Sequence, residues 1–245
     1  MNEEVIRIAM WSGPRNISTA MMRAWENRAD TVVVDEPFYA CYLTHTGIVH
    51  PMQEEVLASQ ANNWQQVIDG ELSRSLSAEQ SIQYQKHMTH HMVDEVSPSW
   101  FASLRHAFLI RNPAEVVVSY SKKRAELSAD DIGFRRQREL FEKVRALGIE
   151  PPVIESTDVL KAPRASLQKL CAALAVPFDS AMLSWPQGCR SSDGAWAPHW
   201  YQNVENSTGF APYEEKPIQL SAAQQRVVNE CLDDYHALAE YKIKP

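Results

Sequence analysis

Short apolar runs separated by longer segments of helical pattern dominate this chain and limit the folds open to it. Five such runs have the length of strands: residues 5–11, 31–35, 82–87, 106–111 and 152–156. Most are apolar at nearly every position, which is typical of parallel strands buried on both faces. Five other segments have helical spacing: residues 17–28, 113–127, 130–148, 163–175 and 221–241. The alternation predicts an α/β fold, a three-layer sandwich with a central, mostly parallel sheet.

Two regions do not fit this simple alternation. Residues 38–80 are too long for a plain crossover between the second and third strands, so we expect a helical insertion there. Residues 185–217 are rich in Trp, Tyr and Phe among Pro, Gly and Ser, and long loops of this kind are often lids or binding loops. The alternative is an ordered segment that packs its aromatic rings on the core. No linker or repeat is evident, so we expect a single domain over residues 1–245.

The charge balance restricts the partners of the protein. Lys and Arg number 24 against 31 Asp and Glu, and the net charge of −7 argues against general binding to nucleic acid or anionic membranes. The first residues, "MNEEVIR", are acidic where a signal peptide is basic, and no run reaches transmembrane length. The four cysteines form no CxxC pair. We therefore expect a cytoplasmic protein with reduced cysteines. The sequence does not specify its oligomeric state.

The stretch "WSGPRNISTA", residues 11–20, reads as a strand that breaks into a polar turn and then a helix. This arrangement binds phosphate in many proteins, because the N–H groups at the start of the helix attract anions. Counted from Gly13, it has the length of the G-x-x-x-x-G-K-[ST] phosphate loop, but it lacks the Lys and the magnesium-binding hydroxyl. Backbone N–H groups, Arg15, Ser18 and Thr19 would still attract an anion. An ordinary strand–helix turn explains this stretch equally well.

A second stretch, "FLIRNPAEVVVSYSKKR", favours the anion site. Arg111 lies at a strand end, Asn112 and Pro113 occupy N-cap and first helical positions, and Ser119 lies nearly two turns into the helix. From there Ser119 could face the strand ends and hold one anion together with Arg111. The alternatives are a salt bridge for Arg111 and a bond from Ser119 to the i−4 carbonyl.

The two stretches together resemble the cofactor-binding motifs of sulfotransferases that depend on 3′-phosphoadenosine 5′-phosphosulfate (PAPS). The family's first motif, roughly P-[KR]-S-G-[ST]-T, corresponds here to Pro14, Arg15, Asn16, Ile17, Ser18 and Thr19. Its second motif is an Arg, a Pro and a Ser eight residues after the Arg, and Arg111, Pro113 and Ser119 match it. The resemblance spans most of the chain, and it is strongest with bacterial sulfotransferase-like proteins that share "WSGPRNIST…DEP" and "WAPHWY…STGF".

This resemblance implies a phosphate-loop architecture and an enzyme that moves a sulfuryl group from PAPS to a hydroxyl or amine of a small-molecule acceptor. Residues 13–19 would hold the 5′-phosphosulfate, and Arg111 and Ser119 would hold the 3′-phosphate of PAPS and of the product, adenosine 3′,5′-bisphosphate. Charge in sulfuryl transfer builds mainly on the leaving phosphate oxygen, which Arg15 can stabilise. Magnesium is then dispensable, which agrees with the missing Lys and hydroxyl, and we expect no metal. The motifs do not specify the acceptor. We expect residues 38–80 and the aromatic segment around Trp196 to Phe210 to shape the acceptor pocket or to cover the adenine.

The loop departs from the family pattern at two positions. Ile17 stands where the family has Gly, and Asn16 where Ser is usual. Because a β-branched residue disfavours positive φ, we expect the loop to be shaped differently or to bind its anion less closely. A non-catalytic nucleotide- or phosphate-binding protein on the same fold is therefore the alternative. A phosphotransferase or NTP hydrolase is a second alternative function. The missing Lys and the missing magnesium-binding hydroxyl argue against it.

A carboxylate at the end of the second strand is a candidate for the base that deprotonates the acceptor. Asp35, Glu36 and Pro37 follow the run "VVV", and α/β sheets bind ligands at the carboxyl ends of their strands. Glu36 resembles the Glu of the "EP" stretch in carbohydrate sulfotransferases, where it is a candidate base. The alternative is that Asp35 and Glu36 cap a helix or fix Arg15.

The stretch "QKHMTHHM" offers Lys86, His87 and His90 as further catalytic candidates. It resembles the Lys-x-His of cytosolic sulfotransferases, whose His is the base, although His87 directly follows Lys86 here. A neutral imidazole suits proton abstraction near neutral pH. His87 and His90 have the spacing of a partial zinc site, but no third ligand follows at a suitable distance. For His91 we expect a surface or packing role.

Overall fold

In the computed structural model, which describes residues 5–122 and 127–244, the five predicted strands form one sheet. The strands are β1 (Ile6–Ser12), β2 (Thr31–Asp35), β3 (Ile82–Met88), β4 (Arg105–Ile110) and β5 (Val153–Glu155). Their order is β2-β3-β1-β4-β5, and every neighbouring pair is parallel. Each predicted strand end lies within one residue of the observed end. Because the strands are parallel, the carboxyl ends of β1 to β4 share one edge.

The helices surround this sheet. They are α1 (Ser18–Glu26), α2 (Tyr39–Thr46), α3 (Gln53–Ser59), α4 (Trp64–Val67), α5 (Pro113–Ser121), α6 (Ala129–Ile132), α7 (Phe134–Ala146), α8 (Ser156–Lys161), α9 (Pro163–Ala173), α10 (Ala197–Trp200), α11 (Gln202–Glu205) and α12 (Ala222–Ala239). A π-helix covers Ile68–Leu72, and 3₁₀ turns cover Thr89–His91, Pro98–Ser103 and Ser180–Leu183. No helix in the described ranges is both long and apolar enough to cross a membrane.

Successive side chains of β1 point to opposite faces of the sheet, and each set contributes to the hydrophobic core on its own face. Ile8 and Met10 pack in one core with buried residues of α1 and α9. Ala9 and Trp11 pack on the opposite face, in a second core that includes residues of α7 and α12. With helices covering both faces of a parallel sheet, the structure confirms the predicted three-layer α/β fold.

Two helix predictions need correction. The predicted helix over residues 130–148 is two helices, because Gly133 ends α6 in the left-handed conformation, with φ of 79°. Its N–H bonds the Ala129 carbonyl at 3.0 Å, which is a common way to terminate a helix. The predicted helix over residues 113–127 ends at Ser121, and residues 123–126 lie outside the described ranges.

The two long regions differ in regularity. Residues 38–80 contain α2, α3, α4 and the π-helix, whereas the described chain of residues 185–217 is mostly irregular apart from α10 and α11. Several of its aromatic rings are nevertheless buried: Trp185, Trp196 and Tyr201 all belong to the first core. The region is therefore an ordered cover on that face of the sheet. That the chain forms a single domain stays a prediction.

Candidate active site

The loop between β1 and α1 takes a conformation that the sequence argued against. Ile17 is the N-cap of α1 with φ of 57° and ψ of 17°, and Arg15 also has positive φ, at 61°. The expectation that a β-branched residue would avoid this conformation is wrong. The left-handed conformation costs such a residue about 1–2 kcal/mol. Ile17 packs against the first core, and this contact offsets part of the cost.

Asn16 and Gly13 tie this loop to the fold. The buried Asn16 amide donates to the Leu109 carbonyl of β4 at 3.1 Å, and the Ser156 hydroxyl donates to the Asn16 carbonyl at 3.1 Å. A Cβ at Gly13 would lie 2.6 Å from the Ile132 carbonyl oxygen, so only glycine permits this close approach. Gly13 thus allows the loop to pack closely against the chain at Ile132. The residues that follow Gly13 line the cavity described below.

The two predicted phosphate motifs meet in space. Arg15 Nε donates to Ser119 Oγ at 3.1 Å, and Arg111 Nη1 donates to the Arg15 carbonyl at 2.8 Å. Arg111 Nε also pairs with Glu115 at 2.9 Å, one helical turn along α5. Burial and the nearby Arg111 guanidinium lower the pKa of Arg15. Two cations held this close in a partly buried place favour the binding of an anion.

A buried ionic network lies at the ends of β2 and β3. Lys86 Nζ donates to Asp35 Oδ1 at 2.8 Å, to Glu36 Oε1 at 2.6 Å and to the Tyr201 hydroxyl at 2.6 Å. The Tyr201 hydroxyl in turn donates to Asp35 at 2.7 Å and accepts from Trp196 Nε1 at 3.0 Å. Tyr201 and Trp196, which are far from Asp35 in sequence, thus contact this network in the folded chain. Glu36 itself has positive φ, at 41°, a strained conformation of the kind found at functional sites.

Burial and the neighbouring charges of this network shift the pKa values of Glu36 and Lys86. Burial raises the pKa of Glu36, the neighbouring Asp35 charge adds to this, and the Lys86 ammonium opposes it. Burial alone would lower the pKa of Lys86, but the Asp35 and Glu36 carboxylates outweigh it and hold that pKa well above its usual value. Lys86 therefore remains an ammonium, and Glu36 is a stronger base than an exposed glutamate.

Two histidines of the 3₁₀ turn after β3 belong to this site. His91 stacks on Tyr39 with 4.5 Å between ring centroids, and its Nδ1 lies 4.0 Å from Glu36 Oε2. Burial lowers the pKa of His90 to about 4 and the pKa of His91 well below its usual value. Both imidazoles are therefore uncharged at neutral pH. The sequence assigned His91 only a packing or surface role.

His87 lies on the opposite face of the sheet from Lys86, because successive side chains of a strand alternate. Its ring stacks on Trp11 with 4.4 Å between centroids, and its Nε2 bonds the Gln85 side chain at 3.0 Å. Burial lowers its pKa to about 3. The structure thus does not bring His87 to Glu36, and it separates His87 from His90. No group of three or more potential metal ligands occurs among the residues that the structure describes.

One cavity of about 400 Å³ connects the loop, the second motif and the carboxylate. The sequence-predicted residues that line it are Pro14, Arg15, Asn16, Ile17, Ser18, Thr19, Glu36, Lys86, His90, Arg111 and Ser119. The aromatic region contributes Trp196, Trp200, Tyr201 and Phe210, and the insertion contributes Tyr39 and His50. Gly13 and His87 do not line it. The sequence thus located most of the lining. Tyr39 and His50 lie in the region 38–80, and Tyr201 lies in the aromatic segment 196–210, the two regions expected at the acceptor pocket or over the adenine, although neither Tyr39 nor His50 nor Tyr201 was singled out. His91 was given no role in the site.

The chain belongs to a sulfotransferase family, because the family model described as "Sulfotransferase domain" matches residues 6–240. In Arabidopsis thaliana, branched-chain-amino-acid aminotransferase-like proteins 1 and 2 are 31% and 29% identical over 96% and 94% of this chain. The match spans only 42% and 41% of those relatives.

Solved sulfotransferases have the same fold. The sulfotransferase domain of the curacin biosynthetic pathway has a TM-score of 0.52 at 16% identity, with 99% of each chain covered. A sulfotransferase from Alicyclobacillus acidocaldarius has a TM-score of 0.51 at 10% identity, with 98% of this chain and 96% of that chain covered. Mouse sulfotransferase SULT7A1, complexed with PAP, has a TM-score of 0.50 at 12% identity, with 98% and 89% covered. The predicted family and fold are confirmed.

Proposed function

We propose that this protein transfers the sulfuryl group of PAPS to a hydroxyl or amine of a small-molecule acceptor and releases adenosine 3′,5′-bisphosphate. The observation that carries the proposal is the direct contact between the two phosphate motifs, Arg15 to Ser119 at 3.1 Å, in a cavity that also contains the Glu36 carboxylate. Membership of a sulfotransferase family supports it, and so does the fold shared with a mouse sulfotransferase complexed with PAP.

The lining residues fit a donor with two separate anionic groups. In our proposal the loop after β1, through its backbone N–H groups, Ser18 and Thr19, holds the 5′-phosphosulfate. Arg111 and Ser119 hold the 3′-phosphate, and Arg15 lies between the two groups. A ligand with phosphates at both places relieves the repulsion between the Arg15 and Arg111 guanidinium groups, which increases its affinity over a nucleotide with one phosphate.

The proposed reaction is a direct transfer. The acceptor oxygen or nitrogen forms a bond to sulfur while the bond from sulfur to the 5′-phosphate oxygen breaks. Negative charge grows on that leaving oxygen, and Arg15 and the loop N–H groups stabilise it. The acceptor proton moves to Glu36 Oε2, because Oε1 accepts the bond from Lys86. Lys86 holds the carboxylate in place and touches no substrate in this scheme.

Glu36 is the favoured base among the three candidates. His87 lies outside the cavity, and the pKa of His90, lowered to about 4 by burial, makes its imidazole a weak base at neutral pH. Burial raises the pKa of Glu36 instead, which brings it nearer to the working pH of a general base.

Calorimetric titration with adenosine 3′,5′-bisphosphate, 5′-AMP and ATP tests the donor assignment. We expect the bisphosphate to bind at least about tenfold more tightly than 5′-AMP, since a charge-assisted phosphate contact contributes about 1.5–3 kcal/mol. Arg111→Ala and Ser119→Ala should remove that preference. Ser121→Ala is the matched control, because Ser121 lies on the same helix and bonds Val117 and Gln224. Equal affinity for the bisphosphate and 5′-AMP would contradict the assignment.

A second measurement separates transfer from simple binding. Arg15→Ala should lower turnover far more than bisphosphate affinity if Arg15 stabilises the leaving group. Equal loss of both would favour the non-catalytic nucleotide-binding alternative. Magnesium-dependent ATP hydrolysis would favour the phosphotransferase or NTP hydrolase alternative.

A further inference from the structure

One end of the cavity, which we call the acceptor side, is a continuous group of aromatic rings beside Glu36. Its members are Tyr39, His50, His91, Trp196 and Tyr201. Tyr39 is the centre of the group: its ring stacks on His91 at 4.5 Å and meets the edge of Trp196 at 5.1 Å, and its hydroxyl bonds His50 at 2.9 Å. Tyr201 joins the group to Lys86 at 2.6 Å. A flat or apolar body fits such a lining.

The charges under the acceptor side do not favour an anion. Asp35 and Glu36 carry two negative charges against the single positive charge of Lys86. Lys86 has three N–H donors, and its bonds to Asp35, Glu36 and Tyr201 use all three. Lys86 therefore has no donor left for a carboxylate or phosphate on the acceptor, and the group as a whole is negative.

A further cation near this group does not make its charge neutral. Arg23 is buried and close enough to Asp35 to interact with its charge, but it also pairs with Asp193 at 2.6 Å and Glu26 at 3.3 Å, which bring two more negative charges. Among the described residues that line the cavity, the only other Lys or Arg side chains are Arg15 and Arg111, which lie at the phosphate motifs. Burial also keeps His91 uncharged, since it lowers the pKa of that imidazole well below its usual value.

We propose that the acceptor is uncharged or positively charged, with a flat or apolar body, and that the site discriminates against acceptors that bear a carboxylate or phosphate. An anionic group there would lie beside Glu36, and close to the buried Asp35, without a counter-ion. Like charges placed together are strongly disfavoured in a low-dielectric site. An ammonium group would instead meet aromatic faces and a net negative charge, both of which attract it. This inference rests on the proposed function.

Release of adenosine 3′,5′-bisphosphate from PAPS, measured with three acceptor pools of matched size, tests the inference. The pools are amino alcohols with aminophenols, uncharged alcohols with phenols, and hydroxy acids. We expect turnover with the first two pools and at least about tenfold lower turnover with hydroxy acids. Turnover of hydroxy acids equal to that of the uncharged pool overturns the inference and leaves the proposed function intact. Turnover of no pool, by protein that binds the bisphosphate, contradicts the proposed function and the inference with it.

A variant of the acceptor side gives a second test. His50→Lys introduces an ammonium next to Tyr39 and supplies the missing counter-ion. We expect it to raise turnover of hydroxy acids relative to uncharged acceptors by about tenfold or more. His50→Gln, which changes size and polarity without adding charge, should leave that ratio within about threefold. An unchanged ratio in His50→Lys would mean that charge on the acceptor side does not set specificity, and it would overturn the inference.

Discussion

Replacing Lys86 by Met tests the buried ionic network most sharply. Lys86 is 1% exposed and contacts two carboxylates whose side chains are 2% and 11% exposed. Removing the ammonium leaves two buried negative charges without a counter-ion, and breaking a buried pair in this way costs about 3–5 kcal/mol. We therefore expect Lys86→Met to lower the free energy of unfolding by about that amount at pH 8. Urea unfolding followed by circular dichroism measures it.

The pH dependence of this loss identifies its cause. Without the ammonium, burial raises the pKa of Glu36 further, so the folded variant retains a proton that the unfolded chain releases near pH 4. The difference in stability between the native protein and Lys86→Met should therefore grow as the pH rises from 5 to 8. Lys242→Met is the matched control, because Lys242 pairs with Glu155 and Asp158 at a site where it is 25% exposed, and it should cost about 1 kcal/mol or less. A loss in Lys86→Met no larger than in Lys242→Met would refute the reasoning.

Three further predictions concern the loop, the core and the aromatic cover. In urea unfolding, the Ile17→Gly variant should be more stable than the Ile17→Ala variant by about 1 kcal/mol. Both variants lose the packing of the Ile17 side chain, but only alanine is strained in the left-handed conformation. A more stable Ile17→Ala variant would contradict this prediction. Burial lowers the pKa of His87 to about 3 and of His106 to about 4, so the unfolded chain takes up protons first. The free energy of unfolding should therefore fall below pH 6.5 by about 1.4 kcal/mol per pH unit for each of these two histidines. A free energy of unfolding that stays constant from pH 6 to pH 5 would contradict this prediction. Gly194→Ala should lower the free energy of unfolding, measured in urea, by about 1–3 kcal/mol, because the new Cβ would lie 2.2 Å from the Trp196 ring. An unchanged free energy of unfolding would show that the Trp196 ring can move away, and it would contradict the prediction.

Most of the strands were predictable because burial on both faces makes them nearly continuous apolar runs. The exception is β3, which contains Gln83, Gln85 and Lys86. The Gly133 break was harder to predict. The pattern of apolar residues continues through it at helical spacing, and a single glycine inside such a pattern is often tolerated. Its φ of 79° and the close approach of the Thr89 hydroxyl show that backbone geometry, rather than the apolar pattern, ends α6 there.

The residues proposed to hold the donor could be located from the sequence because they follow strand ends at motif spacing. Arg111 and Ser119 were expected to share one anion and Arg15 to bind a second one, and the structure brings Arg15 into contact with both Ser119 and Arg111. The conformation of Ile17 was predicted wrongly, because the intrinsic preference of a β-branched residue for negative φ is overridden here by packing against the first core.

The acceptor side depends on contacts that no local pattern contains. Tyr201 reaches Lys86 across 115 residues of sequence, and nothing near Tyr201 in the chain indicates that partner. The position of His87 was predictable in principle, since adjacent residues of one strand face opposite ways and Lys86 was already assigned to the site. His91 was missed because it lies in a turn, where that alternation no longer applies.

The most direct test of the account compares the affinity of the protein for adenosine 3′,5′-bisphosphate and for adenosine 2′,5′-bisphosphate. The two ligands carry the same charge and differ only in the position of one phosphate. Because Arg111 and Ser119 are proposed to hold that phosphate at a fixed place, we predict that the 3′,5′ isomer binds at least about tenfold more tightly and that Ser119→Ala reduces the difference. Equal affinities would contradict the account, because the second motif would then act only as a general positive charge.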